Sequence, residues 1–366
     1  MVTEAGINNL AGVVNSLPDE QKVLFQRIFA LHTVEGRVEI PEGMRARARN
    51  QFGSLEVVTG QEITRVRNQV TGAETLFNPL RGLRPQRSIE ESGWKNRLDS
   101  SPAGDPFRDP EQSTPQDIFG RVRGEYCITA ANIAKCDGFH SLIIFDEFNP
   151  LDFTREQVCD YIDVGWRWAQ QAHAVEPQAK YFFFIWNCLW RAGASIPHGH
   201  AQVMLARERH YARIESLRKV AEDYRQSYGS SYFDDLFHAH RVVGSAMEKE
   251  NVRIIVSLTP FKDNEVILME GELGHSFKDR IYESLVFFRD RAGVGSFNLA
   301  LAMPPLAATG ESWRDFPAIA WLVDRGSPDS LSSDVGGMEI YASSVVASDP
   351  LKLARRLQEY LAEEVR

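Results

Sequence analysis

The apolar segments of this chain run through the same order twice, and that repetition constrains the fold more than any other feature. Residues 141–145 form a short apolar strand. Thr154 then stands where a helix cap belongs, ahead of a helix over 155–173 that keeps Val158, Tyr161, Ile162, Val164, Gly165 and Trp168 on one side. Residues 181–186 and 202–205 read as two further buried strands, and a charged helical segment follows over about 207–228. The order then restarts: strands over 252–256 and 265–269, a helix over 276–291, strands over 297–301 and 318–323, and a closing helix over 350–365. Apolar runs this short on either side of one helical period fit strands. Two sheet-plus-helix halves are the simplest account.

Outside the repeat the signals are weaker. Leu17, Pro18, Asp19 and Glu20 mark a helix start, and an apolar stripe from Val23 to Leu31 makes residues 1–35 helical. Residues 54–58 and 62–67 alternate like strands. Residues 84–118 are rich in Pro, Ser, Asp and Arg without any apolar period, which reads as a long surface loop.

With 366 residues, 43% hydrophobic and 25% charged, the chain has enough apolar material for a large core. Its net charge of −9 argues against a broad nucleic-acid face. No apolar stretch approaches the roughly 20 residues of a membrane helix, and the acidic N-terminus does not resemble a secretion signal. Four scattered cysteines, Cys127, Cys136, Cys159 and Cys188, contain no CxxC pair, so buried reduced thiols in a cytoplasmic protein are expected.

One dense cluster of reactive groups stands out, from Asn187 through Gly193, Ala194, Ser195, His198 and His200 to Gln202. In an extended segment His198, His200 and Gln202 share one face. The small residues let a ligand approach the backbone, and Ser195, Asn187 and free N–H groups can donate to phosphate oxygens. A neutral imidazole attacks phosphorus well and leaves well, provided its other nitrogen is held by an acceptor such as a nearby backbone carbonyl. Positioned donors then stabilise charge on the transferred phosphoryl group.

This stretch resembles the active-site signature of the histidine-triad superfamily, in the branch of galactose-1-phosphate uridylyltransferases, diadenosine tetraphosphate phosphorylases and ADP-sugar phosphorylases. The resemblance implies an α+β fold of two fused histidine-triad-like halves, each an antiparallel sheet with packed helices, one over 1–230 and one over 231–366. Further resemblances are weaker. Asn78, Pro79 and Leu80 with Arg84 and Pro85 are similar to an N-terminal Asn-Pro-Leu…Arg-Pro element that lies against the nucleotide. Asn132 and His140 resemble the step into the first histidine-triad strand, and 296–301 and 336–340 resemble the second half. The resemblance implies His200 as the nucleophile that becomes nucleotidyl-histidine, with Ser195 and Gln202 on the transferred phosphate and Asn187 supporting. It also implies nucleotide contacts from Gly193, Ala194, Asn132, Arg84 and Asn78. His198 matches a zinc ligand of the uridylyltransferases, but without a CxxC and with Asn149 where another ligand would fall, no metal and no required cofactor are expected.

The expected activity is transfer of a nucleoside monophosphate, AMP favoured, from a nucleotide-sugar or dinucleoside polyphosphate to phosphate or a sugar 1-phosphate. A hexose-1-phosphate uridylyltransferase is the second choice, followed by a nucleotide hydrolase and a non-catalytic nucleotide-binding protein. Nucleotide substrates and a homodimer are the expected partners, with no nucleic acid and no membrane. Among lesser candidates, Asp146 and Glu147 read as a strand-end turn, His238 and His240 as surface or interface histidines, Trp186 and Trp190 as core, and Arg87 as a further phosphate clamp beside Arg84.

Overall fold

The computed structural model describes residues 6–84, 93–98 and 101–363. In chain order, helices α1 (Leu10–Asn15) and α2 (Asp19–Ile28) lead into strand β1 (Phe29–Arg37), followed by α3 (Glu42–Phe52), α4 (Leu55–Thr59), β2 (Gly60–Asn68) and β3 (Glu74–Phe77). The short α5 (Pro110–Ser113) precedes β4 (Cys127–Ala131), β5 (Phe139–Phe145), α6 (Arg155–Val175), β6 (Tyr181–Asn187) and β7 (His200–Ala206). Helices α7 (Ala212–Tyr228) and α8 (Tyr232–Arg241) link this block to β8 (Ala246–Lys249), β9 (Val252–Val256), β10 (Val266–Glu270), α9 (His275–Val286), β11 (Phe297–Ala302) and β12 (Ala318–Asp324). The chain ends through α10 (Gly337–Tyr341), β13 (Ser344–Val346) and α11 (Pro350–Glu363).

The doubled pattern is real, and its two copies share one sheet. Nine strands lie in the order β4-β5-β7-β6-β11-β12-β10-β9-β8. Read inward from the β4 edge, and from β9 just inside the edge strand β8, β4-β5-β7-β6 and β9-β10-β12-β11 have the same connectivity, two strands, a helix and two strands. The halves meet where β6 pairs antiparallel with β11, Asn187 opposite Asn298.

Alternation along the strands gives this sheet two unlike faces. One carries Ile143 and Phe145, Phe182, Phe184 and Trp186, Val203 and Leu205, all buried, together with residues of α6, α9 and α11 in one apolar cluster. Trp186 sits edge-on to Phe145 at 5.0 Å and to Phe297 at 5.3 Å, as expected of a core residue. The opposite face carries Leu142, Phe183, Ile185, Asn187, Gln202, Asn298 and Trp321, all half-buried. A reactive site needs access, and only this second face provides it. Helix α6 is fixed by a capping box between Thr154 and Gln157, a device that contributes about 1 kcal/mol.

Four sequence expectations change. Residues 55–59 are helical, because the Ser54 hydroxyl caps them by accepting from the Val57 N–H at 3.3 Å. The helical stripe from Val23 stops at Ile28 and turns into β1, which pairs with β2 in a separate sheet, β1-β2-β3-β13. His240 is core, not surface: it is 2% exposed, its Nδ1–H donates to Leu236 O at 2.8 Å and its Nε2 accepts from the Leu258 N–H at 3.1 Å. His238, two residues away on α8, is exposed as expected.

The fourth change concerns the segment after 84. It sends Asp105, Phe107 and Asp117 into the interior, so that part is no surface loop. Asp117, 7% exposed, accepts from Ser141 Oγ at 2.5 Å and from Trp168 Nε1 at 2.7 Å. Single buried carboxylates leave no periodic trace in a sequence. Cys127 and Cys188 are buried as expected, whereas Cys159 is half-buried and Cys136 exposed; all four are free thiols.

Candidate active site

Strand β6 ends at Asn187 and β7 begins at His200, so the connection between them lies at the sheet's midline on the open face. Two positive-φ residues bend it, Leu189 at 67° and Gly193 at 102°. For Gly193 the lack of a side chain is what makes that conformation cheap. At Gly199 the demand is different: an added Cβ would lie 2.6 Å from Phe145 and 2.8 Å from the Glu147 carbonyl. The glycine between the histidines thus serves packing against the end of β5 rather than ligand access.

His200 is 6% exposed. Its Nδ1–H donates to the His198 carbonyl at 2.8 Å, the backbone acceptor that an attacking imidazole needs. That bond fixes the tautomer and leaves Nε2 with its lone pair and no partner among the described residues. Burial pushes the His200 pKa down, opposed only in part by the bond to the His198 carbonyl. The ring is therefore neutral at pH 7.

Gln202 lies one pleat further along the same face. Its Oε1 accepts from His140 Nε2–H at 2.9 Å, and His140 Nδ1 in turn accepts from the Cys136 N–H at 3.1 Å. Those two bonds set the His140 tautomer and leave the Gln202 amide NH2 free to donate. Burial also lowers the His140 pKa, which keeps it neutral. Asn132 approaches His140 at 3.2 Å, while its own Oδ1 accepts from the Ala134 N–H. It therefore stands behind Gln202, one step removed from a ligand.

His198 is used differently. Its Nε2–H donates to Phe145 O at 2.9 Å, and its Nδ1 meets Asp105 Oδ2 at 2.6 Å, with both side chains almost fully buried. Both ring nitrogens of His198 are thus engaged, one by a carbonyl and one by a carboxylate. Burial works against the Asp105 carboxylate, but hydrogen bonds from His198, Ser101 Oγ and the Phe107 N–H outweigh it and hold its pKa below the ordinary aspartate value. Phe107 rests edge-on against both histidine rings, 5.9 Å from His198 and 5.3 Å from His200.

These residues do not fit a zinc ion: one imidazole has both nitrogens engaged, and one carboxylate accepts from three groups. Among the described residues the one cluster with three candidate ligands is Cys159, His275 and Asp279, between α6 and α9 on the covered side of the sheet. There Arg155 already lies 3.1 Å from Asp279. No step is assigned to a metal.

Ser195 is exposed at the mouth of the connection, with no partner among the described residues. The N–H groups of Gly193 and Ala194 are not free for phosphate; they close the turn on Trp190 O and Leu189 O, each at 3.1 Å. Asn187 is anchored from the second half: its Oδ1 accepts from Asn298 Nδ2 at 2.7 Å, which also donates to Ala192 O at 2.9 Å. Arg325 holds Asn298 Oδ1 at 2.5 Å and grips Asp334 through two bonds, at 2.6 and 3.1 Å. Nothing in the sequence pattern pointed to Asp105, Phe107, Asn298 or Asp334, because each acts through a contact made far along the chain.

Other candidates fall elsewhere. Asn78 caps a short turn by accepting from the Leu80 N–H and donates to Gln61, within the β1-β2-β3-β13 sheet. Arg84 is exposed at the end of that turn. Neither touches the histidines, and Pro85, Gln86 and Arg87 lie outside the described residues. Asp146 pairs with Arg123 at 3.2 Å and Glu147 accepts from the Asn149 N–H, as a strand-end turn would. Trp190 donates to Pro328 O at 2.9 Å.

Solved structures share this architecture. An ADP-glucose phosphorylase from Arabidopsis thaliana, solved with bound ADP-glucose, superposes with a TM-score of 0.61 at 16% identity, over 80% of this chain and 97% of that one. The chain has its fold. A galactose-1-phosphate-uridylyltransferase-like protein from Arabidopsis thaliana gives 0.57 at 16% identity over 80% and 97%, and a uridylyltransferase 0.56 at 15% identity over 81% and 98%. No protein-family model and no curated protein matches the sequence.

Proposed function

We propose that the protein is a nucleotidyltransferase of the phosphorylase type, working through His200 in two displacement steps. In the first, the His200 Nε2 lone pair attacks the α-phosphorus of a nucleotide joined through a diphosphate or longer bridge. A P–N bond forms, the bridging P–O bond breaks, and the leaving phosphate departs with that electron pair. In the second, an oxygen of inorganic phosphate attacks the same phosphorus, the P–N bond breaks, and the imidazole recovers its lone pair. The Gln202 amide NH2 and the Ser195 hydroxyl stabilise charge on the non-bridging oxygens.

The observation that carries this reading is the His200 tautomer: Nδ1–H is tied to the His198 carbonyl and Nε2 is unpaired beside a Gln202 whose carbonyl is already occupied. Nucleotide binding alone has no need of an unpaired, neutral imidazole. AMP is favoured as the transferred group, from the Gly-Ala-Ser turn, the non-proline residue between the histidines and a fold relative that binds ADP-glucose.

Intact-protein mass spectrometry after brief incubation with ADP-glucose, UDP-glucose or diadenosine tetraphosphate, each without phosphate, tests the reading. A gain of one nucleotide that His200→Ala abolishes is expected. Binding without any adduct would point to a silent binder, and free monophosphate released without phosphate present would point to a hydrolase.

A further inference from the structure

The two halves also meet on the covered side of the sheet, along a seam between α6 and α9. Arg155, Cys159 and Asp163 follow one another at four-residue spacing on α6 and so share a face. His275 and Asp279 have the same spacing at the start of α9. The outer positions of the α6 row are ion pairs: Arg155 lies 3.1 Å from Asp279, and Asp163 accepts from Lys278 Nζ at 2.7 and 2.8 Å. Cys159 stands between them.

Around Cys159 the contacts are of another kind. One candidate ligand atom from each of Cys159, His275 and Asp279 lies within 4.8 Å of the other two. His275 Nε2 is 3.4 Å from Asp279 Oδ2, and Cys159 Sγ is 3.9 Å from Asp279 Oδ1. The first distance is long for a charge-assisted hydrogen bond, which closes to about 2.7–2.9 Å. Zinc holds nitrogen and oxygen at about 2.0–2.2 Å and sulfur at about 2.3 Å, which sets its tetrahedral ligands roughly 3.3–3.7 Å apart. Imidazole and carboxylate therefore already have the spacing of two ligands on one ion, and the sulfur is at most about 1 Å short of joining them.

We propose that Cys159, His275 and Asp279 bind a zinc ion that ties α6 of the first half to α9 of the second. The inference is independent of the nucleotidyl-transfer reading, since the site lies across the sheet from His200. A thiolate with an imidazole and a carboxylate suits zinc, and water takes the fourth position. Burial and the Asp279 carboxylate push the Cys159 thiol up to about 11, so it keeps its proton until the ion arrives. As the Zn–S bond forms, that proton passes to solvent. Arg155 is compatible with the ion: it stays on Oδ1 while zinc takes Oδ2, the outer hydrogen bond that ligating carboxylates carry. Arg155 also reaches Glu283 at 3.7 Å and lies over the Tyr282 ring at 4.9 Å, so two further contacts hold it. His275 is exposed at the first position of α9, where its ring turns toward Sγ without disturbing the core.

The test is a titration of the full reduced chain, stripped of metal, with Co²⁺ as optical probe and Zn²⁺ as competitor. One Co²⁺ per chain is expected, with a thiolate-to-cobalt charge-transfer band and the visible bands of a tetrahedral site. Saturating Zn²⁺ is expected to abolish both and to raise the melting temperature. Cys159→Ser is expected to remove the charge-transfer band. His275→Ala, a change at an exposed side chain that leaves folding intact, is expected to weaken Co²⁺ binding at least tenfold. Cys136→Ser, which removes the exposed thiol, is expected to change neither. No thiolate band at all, a band lost in Cys136→Ser but kept in Cys159→Ser, or unchanged binding in His275→Ala would overturn the inference.

Discussion

Strands β7 and β12 hold the same place in the two halves, each the last of a strand–strand–helix–strand–strand unit, yet their surroundings have nothing chemical in common. Around the start of β7 stand His198, held by Asp105, His200, held by the His198 carbonyl, and Gln202, held by His140. The corresponding end of β12 is packed: Phe316 lies 4.9 Å from Trp313 and 5.1 Å from Phe233, and Glu311 holds both Tyr181 and Trp313. One copy of the unit keeps an imidazole with an unpaired nitrogen, and the other has aromatic side chains at the equivalent place. Connectivity alone therefore builds a scaffold. On the proposed function, the chemistry depends on the added constraint of Asp105, His140 and the Asn187–Asn298 link.

The two strands should differ most at the nucleophile itself. His200→Ala should abolish nucleotidylation in mass spectra, whereas Ile319→His, which places an imidazole in the packed start of β12, should add no second adduct. An adduct on that variant at position 319 would mean that connectivity suffices. His140→Leu should be the next largest effect. It frees the Gln202 amide to turn and removes one oriented hydrogen bond, a loss of roughly 1–3 kcal/mol that single-turnover kinetics would register as about a ten- to hundredfold slower first step.

Asp105→Asn should cost less, because an amide oxygen still accepts from His198 Nδ1–H. A fall in labelling rate with little change in KM is expected; a rate identical to that of the unmodified protein would show Asp105 to be packing alone.

The smallest effect is on stability and involves two buried histidines away from the β7 cluster. Burial pushes His210 and His240 down to about 4, below the value near 6.5 of an unfolded histidine. The unfolded chain then binds more protons between these values. Stability is fully present above about pH 6.5 and declines as pH falls toward 4, by on the order of 3 kcal/mol for each such histidine at most. Thermal melts between pH 7 and 4.5 should show this decline, and His240→Gln should flatten it. Because the His200 pKa is also lowered, labelling should persist below pH 6.5 for as long as the protein stays folded.

Much of this architecture was legible in the sequence where apolar periodicity was strong. The strands β5, β6, β7, β9, β10, β11 and β12, the helices α6, α7, α9 and α11, and the face shared by His200 and Gln202 follow from alternation and short apolar runs, whereas β4, β8 and α8 gave no such signal. What periodicity does not encode was misread or missed. Residues 55–59 alternate like a strand, but Ser54 caps them into a helix. His240 looks polar, yet two backbone hydrogen bonds allow it to be buried. Asp105 lies in a stretch with no apolar period, and its only sign of importance is a histidine 93 positions away. Within the site, the face of His200 and Gln202 and the backbone acceptor for His200 could be read from local spacing, while Asp105 behind His198 and Asn298 behind Asn187 could not.

Everything proposed for the chemistry depends on His200 Nε2 being the atom that carries the nucleotide. Trapping the protein with an adenylyl donor in the absence of phosphate, followed by peptide mapping and ³¹P spectroscopy, addresses this directly. An acid-labile, alkali-stable phosphoramidate is expected on the peptide containing His200, discharged when phosphate is added. A phosphoramidate on another histidine, or turnover to products with no protein-bound phosphorus at any time, would contradict it.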